Sequence, residues 1–255
     1  MIKFHTNEVQ VNNMKLFVCS DIHGFYSKFK DSLKKSGYDK NNPNHKLIIL
    51  GDFFDRGSEA KLVKEFIMEE KAILIRGNHD DSLMRLYETG YIKRHDYTGG
   101  TFNTMEQLGE TDSGEINRVL TDFRLKNKDL MDLYYKMPYH YIIKDILFVH
   151  SWVPNVNNIL EATRDEWHSA TLTSLNKKVN LVKFGGAINL YPYTNIKTIV
   201  FGHHKADDIC GMENYEGSGV YTEAIKTLKT QNLTLYGVDG RVEETGKIPV
   251  LVLEV

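Results

Sequence analysis

LIILGDFFDRG, residues 47–57, joins a short apolar run directly to a group of charged residues. The four consecutive aliphatic residues from Leu47 to Leu50 predict a buried strand, because they leave no polar face for water. Asp52, Asp55 and Arg56 follow that strand within a few positions. Open α/β sheets bind ligands at the carboxyl ends of their strands, so this loop is a first candidate for a functional site.

Two further segments repeat this arrangement. LFVCSDIHG (residues 16–24) and AILIRGNHD (residues 72–80) each run from an apolar strand into Asp, His or Asn beside a glycine. Apolar residues at helical spacing follow each of the three strands, with predicted helices that begin near Phe25, Ser58 and Asp80. Consecutive β-loop-α units imply mostly parallel strands, so three strand ends should meet at one edge.

The middle of the chain, residues 91–137, has a different pattern. Apolar residues recur at helical spacing from Glu115 to Lys136, which predicts one polar helix, and Tyr97 begins a glycine-containing loop. The sequence of this segment carries no repeated strand pattern. We therefore expect a helical cap or insertion over the site.

The strand pattern returns after this segment. A hairpin over residues 139–149 ends at His150, and a strand over residues 197–201 leads into His203. Residues 1–13 carry only a weak edge-strand pattern and predict no element. The tail predicts three more strands, at residues 219–224, 233–238 and 248–253.

The composition is typical of one globular domain over residues 1–255. A chain of this length can bury about 70 to 75% of the surface that its unfolded form exposes. Its 32 basic and 34 acidic residues give a formal charge of −2, so no global field would attract nucleic acid or anionic membranes. Its two cysteines, Cys19 and Cys210, make no disulfide framework, and Cys19 is expected in the core.

The sequence indicates neither a signal peptide nor a membrane anchor. Its first residues lack a continuous apolar region, and no apolar run in it reaches membrane-spanning length. We therefore expect a soluble cytoplasmic protein without nucleic-acid or membrane partners. A monomer is the default expectation for its oligomeric state.

Five predicted strand ends carry the same set of residue types. A single His at a strand end is usually structural, and a single Asp-Gly pair is usually a turn. Five independent turns would not be expected to select carboxylates and imidazoles, mostly beside glycine, so the recurrence favours a functional site. The candidate residues are Asp21, His23, Asp52, Asp55, Arg56, Asn78, His79, His150 and His203.

These residue types suit a pair of divalent metal ions. Carboxylates, imidazoles and an amide oxygen without thiolate favour Mn²⁺, with Fe or Zn²⁺ as alternatives, whereas an all-oxygen set would favour Mg²⁺ or Ca²⁺. Six ligands are too many for one open catalytic ion. They suit two ions about 3.5 to 4 Å apart that share a carboxylate, an arrangement used for displacement at phosphorus.

The motifs DIHG, GDFFDRG, RGNHD, FVH and GHH occur in this order between Asp21 and His203. They resemble the five signature blocks of the calcineurin-like metallophosphoesterases. The match is closest to the PPP-type serine/threonine protein phosphatases of bacteriophages and bacteria, which are related to the symmetrical diadenosine tetraphosphatases. Together with the strand pattern, the resemblance implies an α/β fold with two mixed β-sheets packed face to face and flanked by helices.

The resemblance also implies a role for each candidate residue. Arg56 would contact phosphate oxygens, and His79 would be the general acid, oriented by Asp55. A carboxylate beside an imidazole raises its pKa, which would keep His79 protonated for a leaving alkoxide. The implied ligands are Asp21, His23 and Asp52 for one ion and Asp52, Asn78, His150 and His203 for the other, with Asp52 as the bridge.

Three positions depart from the family pattern. Trp152 follows His150 closely, where small residues are usual, which would place a large ring near the site. His204 stands where Thr is usual, although His203 directly follows the glycine and is the better ligand choice. A second phosphate-binding arginine has no clear match; Arg164 is the nearest candidate, but an exposed helical position is the expected one.

The main functional prediction is a two-metal-dependent serine/threonine protein phosphatase that hydrolyses phosphomonoesters by attack of a metal-bound hydroxide. Its partner would be a phosphorylated protein or a small phosphoester. The alternative is a symmetrical hydrolase of dinucleoside polyphosphates such as diadenosine tetraphosphate, and a remote alternative is a non-catalytic scaffold. Four aromatic residues could line a groove for a peptide or a nucleobase, although core packing is the main expectation for them: Tyr97, Phe102, Trp152 and Trp167.

Overall fold

The computed structural model describes residues 14–171, 190–205, 212–229 and 232–255. The weak pattern at residues 1–13 and Cys210 lie outside the described residues. The strands are β1 (Lys15–Cys19), β2 (His45–Ile49), β3 (Ile73–Leu74), β4 (His140–Ile143), β5 (Ile146–Val149), β6 (Thr198–Lys205), β7 (Glu213–Asn214), β8 (Lys226–Lys229), β9 (Thr234–Asp239) and β10 (Leu251–Glu254).

The helices include a group of four in the middle of the chain. The helices of the described residues are α1 (Tyr26–Ser36), α2 (Ala60–Glu69), α3 (Asn78–Thr89), α4 (Arg94–Thr98), α5 (Thr101–Gly109), α6 (Ile116–Lys126), α7 (Lys128–Lys136), α8 (Arg164–Thr171) and α9 (Val242–Thr245). The four in the middle are α4 to α7. A 3₁₀ turn spans Thr222–Ala224. Within the described ranges, no helix combines the length and the apolar character needed to cross a membrane.

The strands form two mixed sheets, as the sequence predicts. One sheet has the order β10-β1-β2-β3, and the other has the order β4-β5-β6-β9-β8-β7. The pairs β1/β2 and β2/β3 are parallel, as are β5/β6 and β6/β9. The loops after β1, β2 and β3 therefore leave the first sheet at one edge, where the candidate residues lie.

The two sheets pack face to face because their strands are apolar on both sides. Leu16 and Val18 of β1 share one buried cluster with Phe148 of β5 and Val200 of β6. The alternate residues of β1, including Cys19, instead join a second cluster that contains the helices beside the first sheet. Cys19 is fully buried, and burial raises the pKa of its thiol, which confirms the core interpretation.

The first predicted helix is confirmed, while the starts of the next two are corrected. Helix α2 begins at Ala60 rather than at Ser58, because the Glu59 amide donates to Gly24 O at 3.0 Å and holds the preceding residues outside the helix. Helix α3 begins at Asn78 rather than at Asp80. The Asp80 carboxylate accepts the Gly77 amide at 2.8 Å, so it caps the first turn from inside the helix.

The middle segment is helical, but two details of the prediction are wrong. The single helix predicted from Glu115 to Lys136 is divided at Asn127, whose buried side chain donates to Leu108 O at 3.0 Å and to Phe123 O at 2.8 Å. Tyr97 lies inside α4 rather than at the start of a loop.

The strand predicted at residues 219–224 in the tail is also wrong. Val220 forms only an isolated bridge to Val250, and Tyr221 has a left-handed backbone with a φ of 53°. The chain then makes the 3₁₀ turn, and the strand of this region is β8. The hairpin of β4 and β5, and the strands β6, β9 and β10, confirm the other predictions of the C-terminal half to within a few residues.

Candidate active site

The backbone around the candidate residues is unusual. A positive φ is uncommon outside glycine, and residues held in this way cluster at functional sites, where the surrounding structure supports the strain. Six of the nine candidates have φ values between 47° and 74°. They are Asp21, His23, Asp52, Asp55, Arg56 and His203.

Glycine allows the strand-end loops to approach one another. A Cβ atom on Gly51 would lie 2.5 Å from the Gly77 nitrogen, so the loops after β2 and β3 need a residue without a side chain there. A Cβ on Gly202 would lie 2.5 Å from Asp21 Oδ2. This close approach lets Asp21 Oδ2 accept the His203 amide at 2.9 Å.

His23 faces two carboxylates from different strand ends. Its Nε2 lies 3.7 Å from Asp21 Oδ1 and 3.8 Å from Asp52 Oδ2. Its Nδ1 lies 2.8 Å from the backbone oxygen of Phe54. A hydrogen bond from Nδ1 to a carbonyl leaves Nε2 as the lone-pair donor, which is the usual arrangement of a metal-binding histidine.

His150 repeats this arrangement at the end of another strand, β5. Its Nδ1 lies 2.6 Å from Leu50 O, while its Nε2 lies 2.9 Å from Asn78 Oδ1 and 3.4 Å from Asp52 Oδ2. The His203 ring lies 5.1 Å from the His150 ring, between centroids. One ligand atom each of Asp52, His150 and His203 lies within 4.8 Å of the other two.

Asp52 therefore belongs to two potential metal-binding groups. The second group consists of His23, Asp52 and His79, again with one ligand atom of each within 4.8 Å of the others. The chemistry of these donors fits divalent cations, since the Nε2 atoms of histidines from different strand ends converge on the buried carboxylate of Asp52. The fold thus brings together all six ligands that the sequence predicts.

The electrostatics of the candidate ligands also indicate a demand for positive charge. Burial alone would raise the pKa of Asp52, but the charges of His150 and His79 hold it well below its usual value. Burial would lower the pKa of His150, but Asp52 and Asp21 raise it to about 10. Burial lowers the pKa of His23 to about 3 and that of His203 to about 4. Positive charge inside the site is needed to compensate the buried carboxylates.

His79 is bound to Asp55 at the rim of this group. Its Nδ1 lies 2.6 Å from Asp55 Oδ2, and its Nε2 lies 3.9 Å from Asp52 Oδ2. Burial would lower the pKa of His79, but the charges of Asp52 and Asp55 raise it to about 9. A cationic imidazole near neutral pH, directed at the metal-binding group, is suited to donate a proton.

Sequence reasoning did not identify the residues that hold Asp55. The Thr101 hydroxyl donates to Asp55 Oδ2 at 2.6 Å, and the Thr104 hydroxyl donates to Asp55 Oδ1 at 2.9 Å. Both threonines belong to α5, so the middle segment contacts the site directly. The sequence offers no local pattern for these contacts, because they join residues 46 and 49 positions apart.

Asp80 supports the loops from behind and was predicted only as an acidic residue of a first helical turn. Its Oδ2 accepts the Asp52 amide at 2.9 Å and the Gly77 amide at 2.8 Å. Its Oδ1 accepts the Phe53 amide at 3.2 Å and the Tyr134 hydroxyl at 3.0 Å. Burial, followed by the charge of Asp52, raises the pKa of Asp80 to about 7.

Arg56 lies at the exposed side of the site and forms an ion pair with Glu243 of α9. The pair joins its Nη1 to Glu243 Oε1. Its charge contributes to the lowered pKa values of His23 and His203, which places the guanidinium near the ligands. Glu243 was not predicted from the sequence, because only the fold brings the C-terminal segment to this loop.

The three unusual positions have separate surroundings. Arg164 Nη2 lies 3.9 Å from Asp81 Oδ1 of α3, and half of its side chain is exposed, as expected for a surface helix. His204 Nε2 lies 2.8 Å from the Ser151 hydroxyl, and burial lowers its pKa to about 2. His204 is not in either of the two potential metal-binding groups.

Trp152, which was expected near the site, packs into the apolar core. It is buried in the apolar cluster on the outer side of the second sheet, with its ring 5.7 Å from that of Phe201. Trp167 lies in the same cluster, and Phe102 lies in the cluster beside the first sheet. Tyr97 differs from these three aromatic residues, since 49% of its surface is exposed.

Comparison with known protein families gives one extended match. The family model described as calcineurin-like phosphoesterase matches residues 14–206, which include every candidate ligand.

Among curated proteins, the chain is similar to the asymmetrical bis(5'-nucleosyl)-tetraphosphatase PrpE of Oceanobacillus iheyensis. The two are 27% identical over 156 residues, or 55% of this chain and 57% of the relative. This chain is also 37% identical to the symmetrical bis(5'-nucleosyl)-tetraphosphatase of Buchnera aphidicola over 76 residues, or 29% of this chain and 27% of that relative. The chain thus aligns with only part of the length of these relatives.

Two solved structures have a similar fold. The crystal structure of a candidate diadenosine tetraphosphatase gives a TM-score of 0.52 at 15% identity, with 95% of this chain and 93% of that chain covered. A metallophosphoesterase from Sphaerobacter thermophilus gives a TM-score of 0.51 at 12% identity, with 96% and 88% covered. At these identities the comparison supports the fold alone.

Proposed function

The chain belongs to the calcineurin-like phosphoesterase family, and we propose that it hydrolyses dinucleoside polyphosphates with the help of two divalent metal ions. The observation that supports a two-metal reaction is the membership of Asp52 in two potential metal-binding groups, with Nε2 of His23 at 3.8 Å and Nε2 of His150 at 3.4 Å from its Oδ2. The family match makes the chain a phosphoesterase, and the choice of substrate is our proposal.

The proposed ligands are the six that converge around Asp52. One ion would be held by Asp21, His23 and Asp52, and the other by Asp52, Asn78, His150 and His203, with Mn²⁺ as the preferred metal. When bound, the ions would activate water and neutralise charge on the phosphate oxygens. The Nδ1 contacts of His23 and His150 with backbone oxygens would hold both imidazoles in the ligating tautomer.

The side chains at the rim would carry out the remaining steps. Arg56 would bind phosphate oxygens through its planar guanidinium, which matches two oxygens at once. His79 would donate its proton from Nε2 to the leaving oxygen, since its Nδ1 is occupied by Asp55. Asp55 is fixed in turn by Thr101 and Thr104, so the imidazole would not need to reorient during the reaction.

The names of the relatives support a dinucleoside substrate more than a phosphoprotein. Both curated relatives described above are named for bis(5'-nucleosyl) tetraphosphates. A chain of four phosphates between two nucleosides has three anhydride bridges. Cleavage of the central bridge gives two nucleoside diphosphates, whereas cleavage of an outer bridge gives a monophosphate and a triphosphate. The relative matched over the larger share of this chain is the asymmetrical one, so we propose cleavage of an outer bridge.

A competition assay tests this proposal. The protein, loaded with Mn²⁺, receives diadenosine tetraphosphate and a phosphoserine peptide in one tube, and the products are separated by chromatography. We expect AMP and ATP in equal amounts, with no product when a chelator is present. Preferential release of phosphate from the peptide would contradict the proposal and support the protein phosphatase predicted from the sequence, and two ADP would indicate central cleavage.

A matched pair of variants links the activity to the site. Asp52→Asn removes the charge of the proposed bridge, whereas Asp31→Asn removes a carboxylate from an exposed ion pair with Lys35. We expect activity to be lost only in Asp52→Asn. Equal activity of the two variants would contradict the assignment of the site.

We also propose that residues 1–255 act as one metallophosphoesterase domain with residues 91–137 as a helical cap. The contacts of Thr101 and Thr104 with Asp55 support this role for the middle segment. Helices α6 and α7 also support it, since Phe123 and Tyr134 share the cluster of the first sheet.

A further inference from the structure

We propose that Tyr97 is a stacking surface for the nucleobase of the nucleotide that leaves the site. The inference rests on the proposed function, because it assigns the base of a dinucleoside polyphosphate to a specific residue. Three observations carry it: the position of Tyr97 two residues before the segment that borders His79, the fixed conformation of its helix, and the exposure of its ring.

The segment that follows Tyr97 borders the side chain of His79 and the backbone of Arg56. A Cβ atom added to Gly99 would lie 3.7 Å from His79 Cε1. A Cβ atom added to Gly100 would lie 2.5 Å from the backbone nitrogen of Arg56. Tyr97 therefore lies two residues before the glycine that borders the proposed general acid.

The role of His79 determines which part of the substrate would be near Tyr97. A general acid must lie within hydrogen-bond distance of the oxygen that it protonates. The nucleotide attached to that oxygen leaves on the same side. Because Gly99 borders His79, the leaving nucleotide would extend over the segment that begins at Tyr97.

The helix that carries Tyr97 is fixed to the body of the protein. Asp96 is fully buried, and its Oδ1 accepts Arg85 Nη2 of α3 at 2.6 Å. Its Oδ2 accepts the Lys93 amide at 2.6 Å, which fixes the start of α4. On the other side, Thr101 is bound to Asp55. A surface that is ordered before binding costs less entropy when a ligand stacks on it.

The ring of Tyr97 is supported and also accessible. Its centroid lies 4.9 Å from that of Phe102, at an interplanar angle of 34°, and Phe102 is 9% exposed. Tyr97 itself is 49% exposed, so a base can reach it. The exposed Lys93 and Arg94 precede it and add positive charge near the polyphosphate chain. Aromatic side chains backed by cationic groups are common binding surfaces for bases of any type.

The test separates the base from the phosphates. Steady-state kinetics would be measured with diadenosine tetraphosphate for the Mn²⁺-loaded protein and for Tyr97→Ala, Tyr97→Leu and Tyr97→Phe. Inorganic tripolyphosphate, which has anhydride bonds but no base, would be used as a competitive inhibitor. The matched control is Tyr91→Ala, because Tyr91 is also an exposed tyrosine of the middle segment, at 66%.

We expect Tyr97→Ala to raise the KM for diadenosine tetraphosphate about tenfold, the loss typical of one stacked base, with kcat within about twofold. Tyr97→Leu should raise the KM to an intermediate value. Tyr97→Phe and Tyr91→Ala should leave the KM unchanged. The inhibition constant of tripolyphosphate should be the same in all variants. Thermal unfolding at an unchanged temperature would confirm that the variants are folded.

Two results would overturn the inference. An unchanged KM in Tyr97→Ala, with hydrolysis intact, would show that no base stacks on this ring while the proposed function stands. An equal weakening of tripolyphosphate inhibition would show that Tyr97 affects the phosphate site instead. If the unaltered protein did not hydrolyse diadenosine tetraphosphate, the proposed function itself would fail.

Discussion

Asp55 Oδ2 lies 2.6 Å from His79 Nδ1, and this contact fixes the direction of the proposed general acid and, with the charge of Asp52, favours its protonated form. The same oxygen accepts the hydroxyl of Thr101 at 2.6 Å, so the carboxylate cannot rotate freely. His79 is thereby held with Nε2 toward Asp52, and its pKa is raised to about 9 against the effect of burial. The charge of Asp52 and the contact with Asp55 together make His79 an acid that is charged at neutral pH.

Removal of the Asp55 charge should move the pH dependence of turnover. In Asp55→Asn the pKa of His79 falls, because an attractive carboxylate charge is lost. A general acid is active only while protonated, so the alkaline limb of kcat should shift to lower pH. The measurement is kcat from pH 6 to pH 10, with Asp31→Asn as the control. A profile identical to that of the unaltered protein would contradict the role of Asp55.

His79 itself should be required for turnover but not for metal binding. His79→Asn should reduce kcat by more than about tenfold, since proton donation to the leaving oxygen is lost. Metal content, measured by inductively coupled plasma mass spectrometry, should stay unchanged. Loss of one ion from this variant would instead make His79 a ligand, in agreement with its place beside His23 and Asp52.

Metal binding should release protons. The pKa of His150 is raised to about 10 in the metal-free site, chiefly by Asp52 against the effect of burial, so this imidazole is protonated near neutral pH. Because a metal binds only the neutral form, the apparent affinity for Mn²⁺ should rise with pH, by up to about tenfold per pH unit for each proton released. Calorimetry in two buffers of different ionisation enthalpy measures this release. An affinity that is independent of pH below pH 9 would contradict it.

Glu243 should compete with phosphate for Arg56. Glu243→Gln removes the carboxylate that neutralises the guanidinium, so inorganic phosphate should inhibit more strongly, by about two- to fivefold for a partly exposed pair. The matched control is Glu244→Gln on the same helix, where Glu244 lies 3.4 Å from Arg241. Weaker inhibition in Glu243→Gln would show that the carboxylate orients Arg56 rather than competing for it.

The sequence predicted the parts of this site that are encoded locally. Each candidate ligand except His203 closely follows a strand, and His203 lies at the register shift near the end of β6. An apolar strand with a polar end can be recognised within ten residues. The alternation in β1 likewise places Leu16 and Val18 between the sheets and Cys19 against the helices. These features need no knowledge of distant residues.

The remaining features depend on contacts between distant segments. The loop that carries Asp55 and Arg56 is contacted by Thr101, Thr104 and Glu243. These contacts form only because the middle and C-terminal segments fold against that loop. The break at Asn127 arises in a similar way, since the side chain replaces helical hydrogen bonds with contacts to Leu108 and Phe123. Neither effect produces a periodic signal that sequence analysis could detect.

The central claim is that Asp52 bridges two metal ions, and metal content tests it most directly. The unaltered protein and Asp52→Asn would be purified, incubated with excess Mn²⁺, desalted and measured by inductively coupled plasma mass spectrometry. We predict two ions per chain in the unaltered protein and fewer than one in Asp52→Asn. Two ions in the folded Asp52→Asn variant would contradict the claim.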